Sequence, residues 1–121
     1  MRQGWIVLMM LLGFALLFAA CSGSGSNPNP GGGPTVACTV DAPSTAAYVP
    51  SSCTVKVGQA VKFTNISSHP LLPTGANPDN PIPNTVGTGK DTETVTFGKA
   101  GTYTFVCAFH PAMTGSITVT P

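Results

Sequence analysis

Residues 101–115 read Gly-Thr-Tyr-Thr-Phe-Val-Cys-Ala-Phe-His-Pro-Ala-Met-Thr-Gly, and they carry most of the side chains of this chain that could perform chemistry. The first half alternates with a period of two, which is typical of a β-strand, so every second side chain up to Cys107 points toward a core. A short loop follows, in which a thiol, an imidazole and a thioether occur at every third position, at Cys107, His110 and Met113. The stretch therefore predicts a metal site that is built on a rigid strand and a short loop.

The donor types indicate which metal this site prefers. Sulfur and imidazole suit copper or zinc, whereas magnesium and calcium take oxygen ligands. The sequence has only two histidines, so the second imidazole is that of His69. Two imidazoles, a thiolate and a weak axial thioether are the ligand set of blue-copper sites, which favours copper and predicts the ligands His69, Cys107, His110 and Met113. Structural zinc is the alternative, although it prefers several thiolates or histidines with two ligands close together on each arm.

The same stretch resembles the last two strands and the ligand loop of small cupredoxins. Two residues separate Cys107 from His110 and two separate His110 from Met113, a spacing similar to that of amicyanin and pseudoazurin. Upstream, Val55-Lys-Val-Gly-Gln-Ala-Val-Lys-Phe-Thr-Asn65 is similar to the family segment that precedes the first ligand histidine, and His69 follows where that ligand is expected. The resemblance covers roughly residues 54–119.

The resemblance implies a Greek-key fold and one type 1 copper ion, which cycles between Cu(I) and Cu(II) and which both histidines bind through Nδ1. It also implies that the edge of His110 reaches the surface through an apolar patch, where redox partner proteins dock transiently. We expect this patch to consist of Leu71, Leu72, Pro73, Pro111 and Ala112. The alternative is that Leu71 and Leu72 pack beneath a long loop.

One residue departs from the family pattern. Amicyanin-like proteins commonly place asparagine directly after the first ligand histidine, where its backbone N–H donates to the thiolate, but this chain has Pro70. Proline has no N–H to donate. We therefore expect one hydrogen bond fewer at the Cys107 sulfur and a lower reduction potential, because such bonds stabilise the reduced site.

The rest of the chain predicts an all-β domain. Low charge with 14 Gly and 12 Pro is typical of a turn-rich β protein. Strands are predicted at residues 35–40, 54–57, 60–65, 92–97, 102–107 and 116–120, and residues 67–88 are predicted as a long loop. Spacing and alternation indicate a β-sandwich of seven to eight short strands, to which the resemblance adds the Greek-key order.

Cys38 and Cys53 flank a turn-rich segment and form a spare pair of thiols. Outside the cytoplasm such a pair more often forms a disulfide than stays free. A second metal site is the alternative, with few further ligands to support it.

The N-terminal residues indicate export. Residues 1–20 combine one Arg with an apolar run that is short for a bilayer crossing and typical of a secretory signal. Leu17-Phe-Ala-Ala-Cys21 resembles the lipobox of bacterial lipoproteins, which implies a lipid on Cys21 and a periplasmic or otherwise extracytoplasmic, membrane-anchored protein. Ordinary cleavage after Ala20 and an uncleaved anchor are the alternatives. Residues 21–34 then form a flexible linker to a copper-binding domain at residues 35–121.

Charge and residue counts exclude several function classes. Without residues 1–20, four Lys balance four acidic side chains, so no basic excess suggests nucleic acid. We expect a monomeric electron carrier and no enzyme, because a copper oxidase or nitrite reductase needs further histidine-rich copper centres. A copper-buffering or copper-delivery lipoprotein is the other alternative, and it would favour more methionines than the single Met113 outside the signal.

Overall fold

The computed structural model describes residues 32–121. The predictions for the signal segment, for lipidation at Cys21 and for most of the linker lie outside the described residues. The described part contains these seven strands: β1 Val36–Asp41, β2 Ser52–Lys56, β3 Ala60–Thr64, β4 Leu71–Thr74, β5 Thr92–Thr96, β6 Gly101–Cys107 and β7 His110–Thr120. Within residues 32–121 there is no helix with the length and apolar character that a membrane crossing requires.

The strands form two sheets, one with the order β1-β3-β5 and the other with the order β2-β7-β6-β4. β1 pairs with β3 and β2 pairs with β7 in parallel, whereas the other pairs are antiparallel. Apart from β6 and β7, strands that follow each other in sequence, such as β1 and β2, lie in different sheets. This arrangement confirms the predicted all-β sandwich of Greek-key type.

Phe105 lies at the centre of the core between the sheets. Its ring packs edge-on against Tyr48 at 4.8 Å and against Phe63 at 5.3 Å between ring centroids. Gly115 faces it across the β6–β7 ladder, where even a Cβ atom would collide with the ring. Because the ring of Phe105 packs against Tyr48, Phe63 and Gly115, the end of β6 that carries Cys107 is held rigidly.

The predicted long loop at residues 67–88 was partly wrong, because it contains strand β4. This strand pairs with β6 in antiparallel fashion, with Leu71 opposite Cys107. β4 is an edge strand, which tolerates Pro73 because an edge strand can leave one face of its backbone without ladder hydrogen bonds. Proline and glycine in the sequence indicated a loop, whereas pairing with residues at least 30 positions away in the sequence decided the structure.

The predicted disulfide between Cys38 and Cys53 is confirmed. Cys38 belongs to β1 and Cys53 to β2, so the bond joins the two sheets of the sandwich. A covalent link between the layers restricts the unfolded chain and holds the sheets in register.

Candidate metal centre

Three predicted ligands converge at one end of the sandwich. Cys107 ends β6 and is fully buried, His110 begins β7 and is exposed, and His69 precedes β4 and is 6% exposed. The register of the β6–β7 pairing shifts between Val106 and Cys107. Cys107 then lies opposite His110, and only Ala108 and Phe109 connect the two. His69, which lies far from this loop in the sequence, comes close to it because β4 pairs with β6.

The spacing of the donor atoms fits a single ion. The Nδ1 atoms of His69 and His110 are 3.3 Å apart, and Sγ of Cys107 lies 3.8 Å and 3.5 Å from them, respectively. An ion at about 2.0 Å from nitrogen and about 2.3 Å from sulfur needs donors roughly 3.3 to 3.8 Å apart for bond angles of about 110° to 125°. The three donors therefore form a preassembled trigonal His2Cys set, through Nδ1 of both rings as expected.

Backbone contacts hold the two ligand segments together. The N–H of Ala108 donates to the carbonyl of Pro70 at 3.0 Å, which joins the residue after the thiolate to the residue after His69. On the next residue, the N–H of Leu71 donates to Oγ1 of Thr85 at 2.8 Å, and the N–H of Thr85 donates back to the Leu71 carbonyl at 3.0 Å. Sequence reasoning missed the buried Thr85, because an isolated threonine in a loop carries no signal of such a role.

Sequence comparison decides which family contains this site. The profile described as "Copper binding proteins, plastocyanin/azurin family" matches residues 34–120, which is most of the chain. The chain belongs to this family. Copper is accordingly the metal of the His69, Cys107 and His110 site, and the zinc alternative is set aside.

Solved structures of similar fold include other cupredoxins and a larger enzyme. Oxidised plastocyanin from Dryopteris crassirhizoma has 23% identity and a TM-score of 0.53, with 68% of this chain and 99% of that chain covered. An oxidised amicyanin variant has 23% identity and a TM-score of 0.52, with 75% and 95% covered. The copper-containing nitrite reductase from Thermus scotoductus SA-01 has 25% identity and a TM-score of 0.56, but the match covers 73% of this chain and 22% of the enzyme. No curated protein sequence matches this chain closely enough to count as a relative.

Met113 lies on β7 and is 2% exposed in the core of this cupredoxin. Its place beside the ligand loop agrees with a thioether that faces inward. Its role as the axial ligand stays a prediction.

The surface around His110 differs from the predicted apolar patch. Leu71 is fully buried, so its inclusion in the patch was wrong, and the alternative of packing beneath the loop holds for it. Alternation along β4 turns Leu71 inward, whereas Leu72 and Pro73 are half-buried.

The residues next to His110 in the sequence are exposed. Pro111 and Ala112 are exposed as predicted, and Phe109, which sequence reasoning missed, is 61% exposed. The position of Phe109 between two predicted ligands, outside strand alternation, could have indicated its exposure.

Tyr48 places a polar group in the core behind the site. Its hydroxyl is buried and has no hydrogen-bond partner among the described residues. Burial raises the pKa of Tyr48 far above its usual value, and the negative charge of Cys107 raises that pKa further. The phenol therefore stays neutral and adds no charge next to the metal site.

The sulfur of Cys107 has the two imidazole nitrogens as its only hydrogen-bonding neighbours among the described residues. Pro70 is buried, and its carbonyl accepts the hydrogen bond from Ala108. Replacement by alanine would keep that bond and add an N–H at the position from which, by the family resemblance, a backbone N–H donates to the thiolate. We expect Pro70→Ala to raise the reduction potential by roughly 40 mV, since a hydrogen bond of about 1 kcal/mol would favour the reduced site.

Protein-film voltammetry of the copper-loaded chain measures this shift. Pro81→Ala is the matched control, because Pro81 is exposed on the loop between β4 and β5. An unchanged or lower potential in Pro70→Ala would contradict the assignment of the missing bond to proline.

Proposed function

We propose that this cupredoxin is a one-electron carrier. The observation that supports it best is the preassembled donor set, in which three atoms at 3.3 to 3.8 Å from one another are held by packed strands. Copper, when bound, supplies the reversible Cu(I)/Cu(II) couple. The protein contributes ligands that stay in place between the two states, because the rigid end of β6 and the short loop to β7 leave them little freedom to move.

Met113 is proposed as the fourth, axial ligand. Its buried side chain, its position two residues after Pro111 and the cupredoxin spacing of the loop support this role. A weak thioether ligand tunes the potential of such sites through the length of the axial bond.

His110 is the proposed point at which electrons enter and leave. Its ring is exposed, whereas Cys107 and His69 are buried, so His110 is the ligand that reaches solvent. Phe109, Pro111 and Ala112 lie within two residues of it in the sequence and are exposed, and Leu72 and Pro73 on β4 are half-buried. We call these five residues the docking patch. A small apolar patch with little charge suits redox partner proteins that bind weakly and dissociate quickly.

The protein is further proposed to act as a monomer outside the cytoplasm, anchored by a lipid on Cys21. The disulfide between Cys38 and Cys53 supports an oxidising compartment, where such bonds persist. The tether at residues 21–34 would let the domain turn toward partners near the membrane.

A catalytic function is not proposed. The similarity to nitrite reductase covers only 22% of that enzyme, and both histidines of this chain belong to the one candidate metal site among residues 32–121. Copper delivery is the second candidate, and a single methionine outside the predicted signal argues against it because delivery sites favour several soft thioethers.

Addition of Cu(II) to the purified chain, followed by optical, EPR and voltammetric measurement, tests the proposal. An electron carrier is expected to show an intense blue thiolate-to-copper band, a narrow copper hyperfine splitting and a reversible one-electron wave. A pale spectrum, or loss of copper to a chelator in each reduced cycle, would contradict electron transfer and favour delivery.

A further inference from the structure

A cleft of about 340 Å³ adjoins His69 and takes no part in the proposed electron path. His69 lines it, whereas Cys107 and His110 do not. The other polar residues of its wall are Ser44, Asn65, Ser67, Ser68 and Asp91. The cleft therefore adjoins the buried ligand His69 without including the other two donors.

The ring of His69 has one nitrogen that faces the other donors and one that does not. The ring is 6% exposed, and its Nδ1 faces the sulfur of Cys107 and the ring of His110. Its Nε2 has no hydrogen-bond partner in the described part of the chain. When Nδ1 binds a metal ion, the neutral ring carries its proton on Nε2, and metal-binding histidines almost always donate that N–H to a carboxylate, a carbonyl or water.

Asp91 provides the only carboxylate in the wall of the cleft. Its Oδ1 accepts a hydrogen bond from the hydroxyl of Ser67 at 2.8 Å, and both residues are exposed. The ion pairs among the described residues are Lys90–Glu93 and Lys99–Asp79, so no lysine neutralises Asp91. No direct hydrogen bond or ion pair within residues 32–121 joins Asp91 to His69, and a link between them needs a group that fits between the two.

We propose that this cleft binds a hydroxyl group, with water as its smallest occupant, that accepts from Nε2–H of His69 and donates to the Asp91 carboxylate. Asp91 then acts as a positioning residue for the metal ligand. A hydroxyl both accepts and donates, as the two ends require, whereas an anion would be repelled by the carboxylate. The cleft is large enough for such a bridge and has several polar partners for it.

The inference rests on the binding of metal by His69, which belongs to the proposed function, but not on electron transfer. It is therefore tested on the zinc-loaded chain, since Zn(II) takes the same nitrogen and sulfur donors and is diamagnetic. Two quantities are measured: the solvent-exchange rate of the His69 Nε2–H by proton–nitrogen NMR, and the Zn(II) affinity by competition with a chelator.

Asp91→Ala is expected to speed the exchange and to weaken Zn(II) binding by about tenfold, the lower end of the effect for loss of such an outer partner. Asp91→Asn keeps an acceptor oxygen without the charge, so intermediate values are expected for it. The matched control is Asp79→Ala, which removes an exposed carboxylate that pairs with Lys99 and does not line the cleft.

Three outcomes would overturn the inference. In the first, Asp91→Ala has the same exchange rate and Zn(II) affinity as Asp79→Ala. In the second, Asp91→Asn has the same values as Asp91→Ala, which indicates a purely electrostatic effect. In the third, zinc is bound through Nε2 of His69. Added ethylene glycol distinguishes the occupants, because a shift of the His69 signals assigns the site to an alcohol hydroxyl and no shift assigns it to water. A wild-type chain without a blue Cu(II) spectrum would refute electron transfer and leave these zinc measurements valid.

Discussion

Replacement of Cys107 by serine is expected to abolish the intense blue absorption of the copper-loaded protein. It is also expected to weaken copper binding by roughly 100-fold or more, which exceeds the usual loss of affinity when a ligand loses its outer hydrogen-bond partner. The physical reason is that the thiolate is the anionic and softest donor of the set, and copper prefers soft ligands. Cys107 is fully buried against the core, so a neutral hydroxyl at that position offers no comparable ligand. Optical spectroscopy and competition with a copper chelator measure both effects.

Val106→Ala is the matched control for this substitution. Val106 precedes the ligand on β6 and is only half-buried, so its truncation perturbs the same strand without loss of a donor. We expect the control to stay blue. A Cys107→Ser protein that keeps the blue band would contradict the assignment and would place the thiolate elsewhere in the chain.

Removal of the disulfide is expected to lower the free energy of unfolding by about 3 kcal/mol in the double variant Cys38→Ser/Cys53→Ser. The bond closes a loop with a sequence separation of 15, and cross-links of this length restrict the unfolded chain by about that amount. For a domain of this size the melting temperature should fall by roughly 12 to 24 °C. The blue spectrum should survive at low temperature, because the disulfide joins β1 and β2 and none of the donors lies on either strand.

Calorimetry of the copper-free and copper-loaded forms measures this effect. The double variant with alanine in place of serine is the control for polarity, since Cys53 is 8% exposed and a hydroxyl there adds its own cost. Equal melting temperatures for the wild type and both double variants would contradict the prediction, because they would show that the disulfide does not stabilise the protein by restricting the conformations of the unfolded chain.

The donors were predictable from the sequence because their chemistry is rare in this chain. Only two histidines exist, and Cys107, His110 and Met113 follow one another at short and regular spacing. Such a loop brings its own donors together through local geometry. The approach of His69 was predicted from the family pattern, and the structure shows its cause in the pairing of β4 with β6.

The surroundings of the site were not predictable in the same way. Leu71 was expected at the surface, because one apolar residue in a loop rich in proline gives no period from which its direction can be read. Its burial depends on a strand ladder with β6, and the bonds between Leu71 and Thr85 depend on where the following loop returns. The cleft beside His69 likewise combines residues of three separate segments, around residues 42–44, 65–69 and 91.

The sequence by itself determined the metal-binding chemistry, the β character of the domain and the pair of cysteines that form the disulfide, because donor type, alternation and cysteine count are local properties. Only the tertiary structure decided which side chains face solvent around His110, how the second histidine meets the loop and what lies behind it. These features arise from contacts between residues far apart in the chain, and such contacts depend on sheet pairing and packing, which no short stretch of sequence encodes.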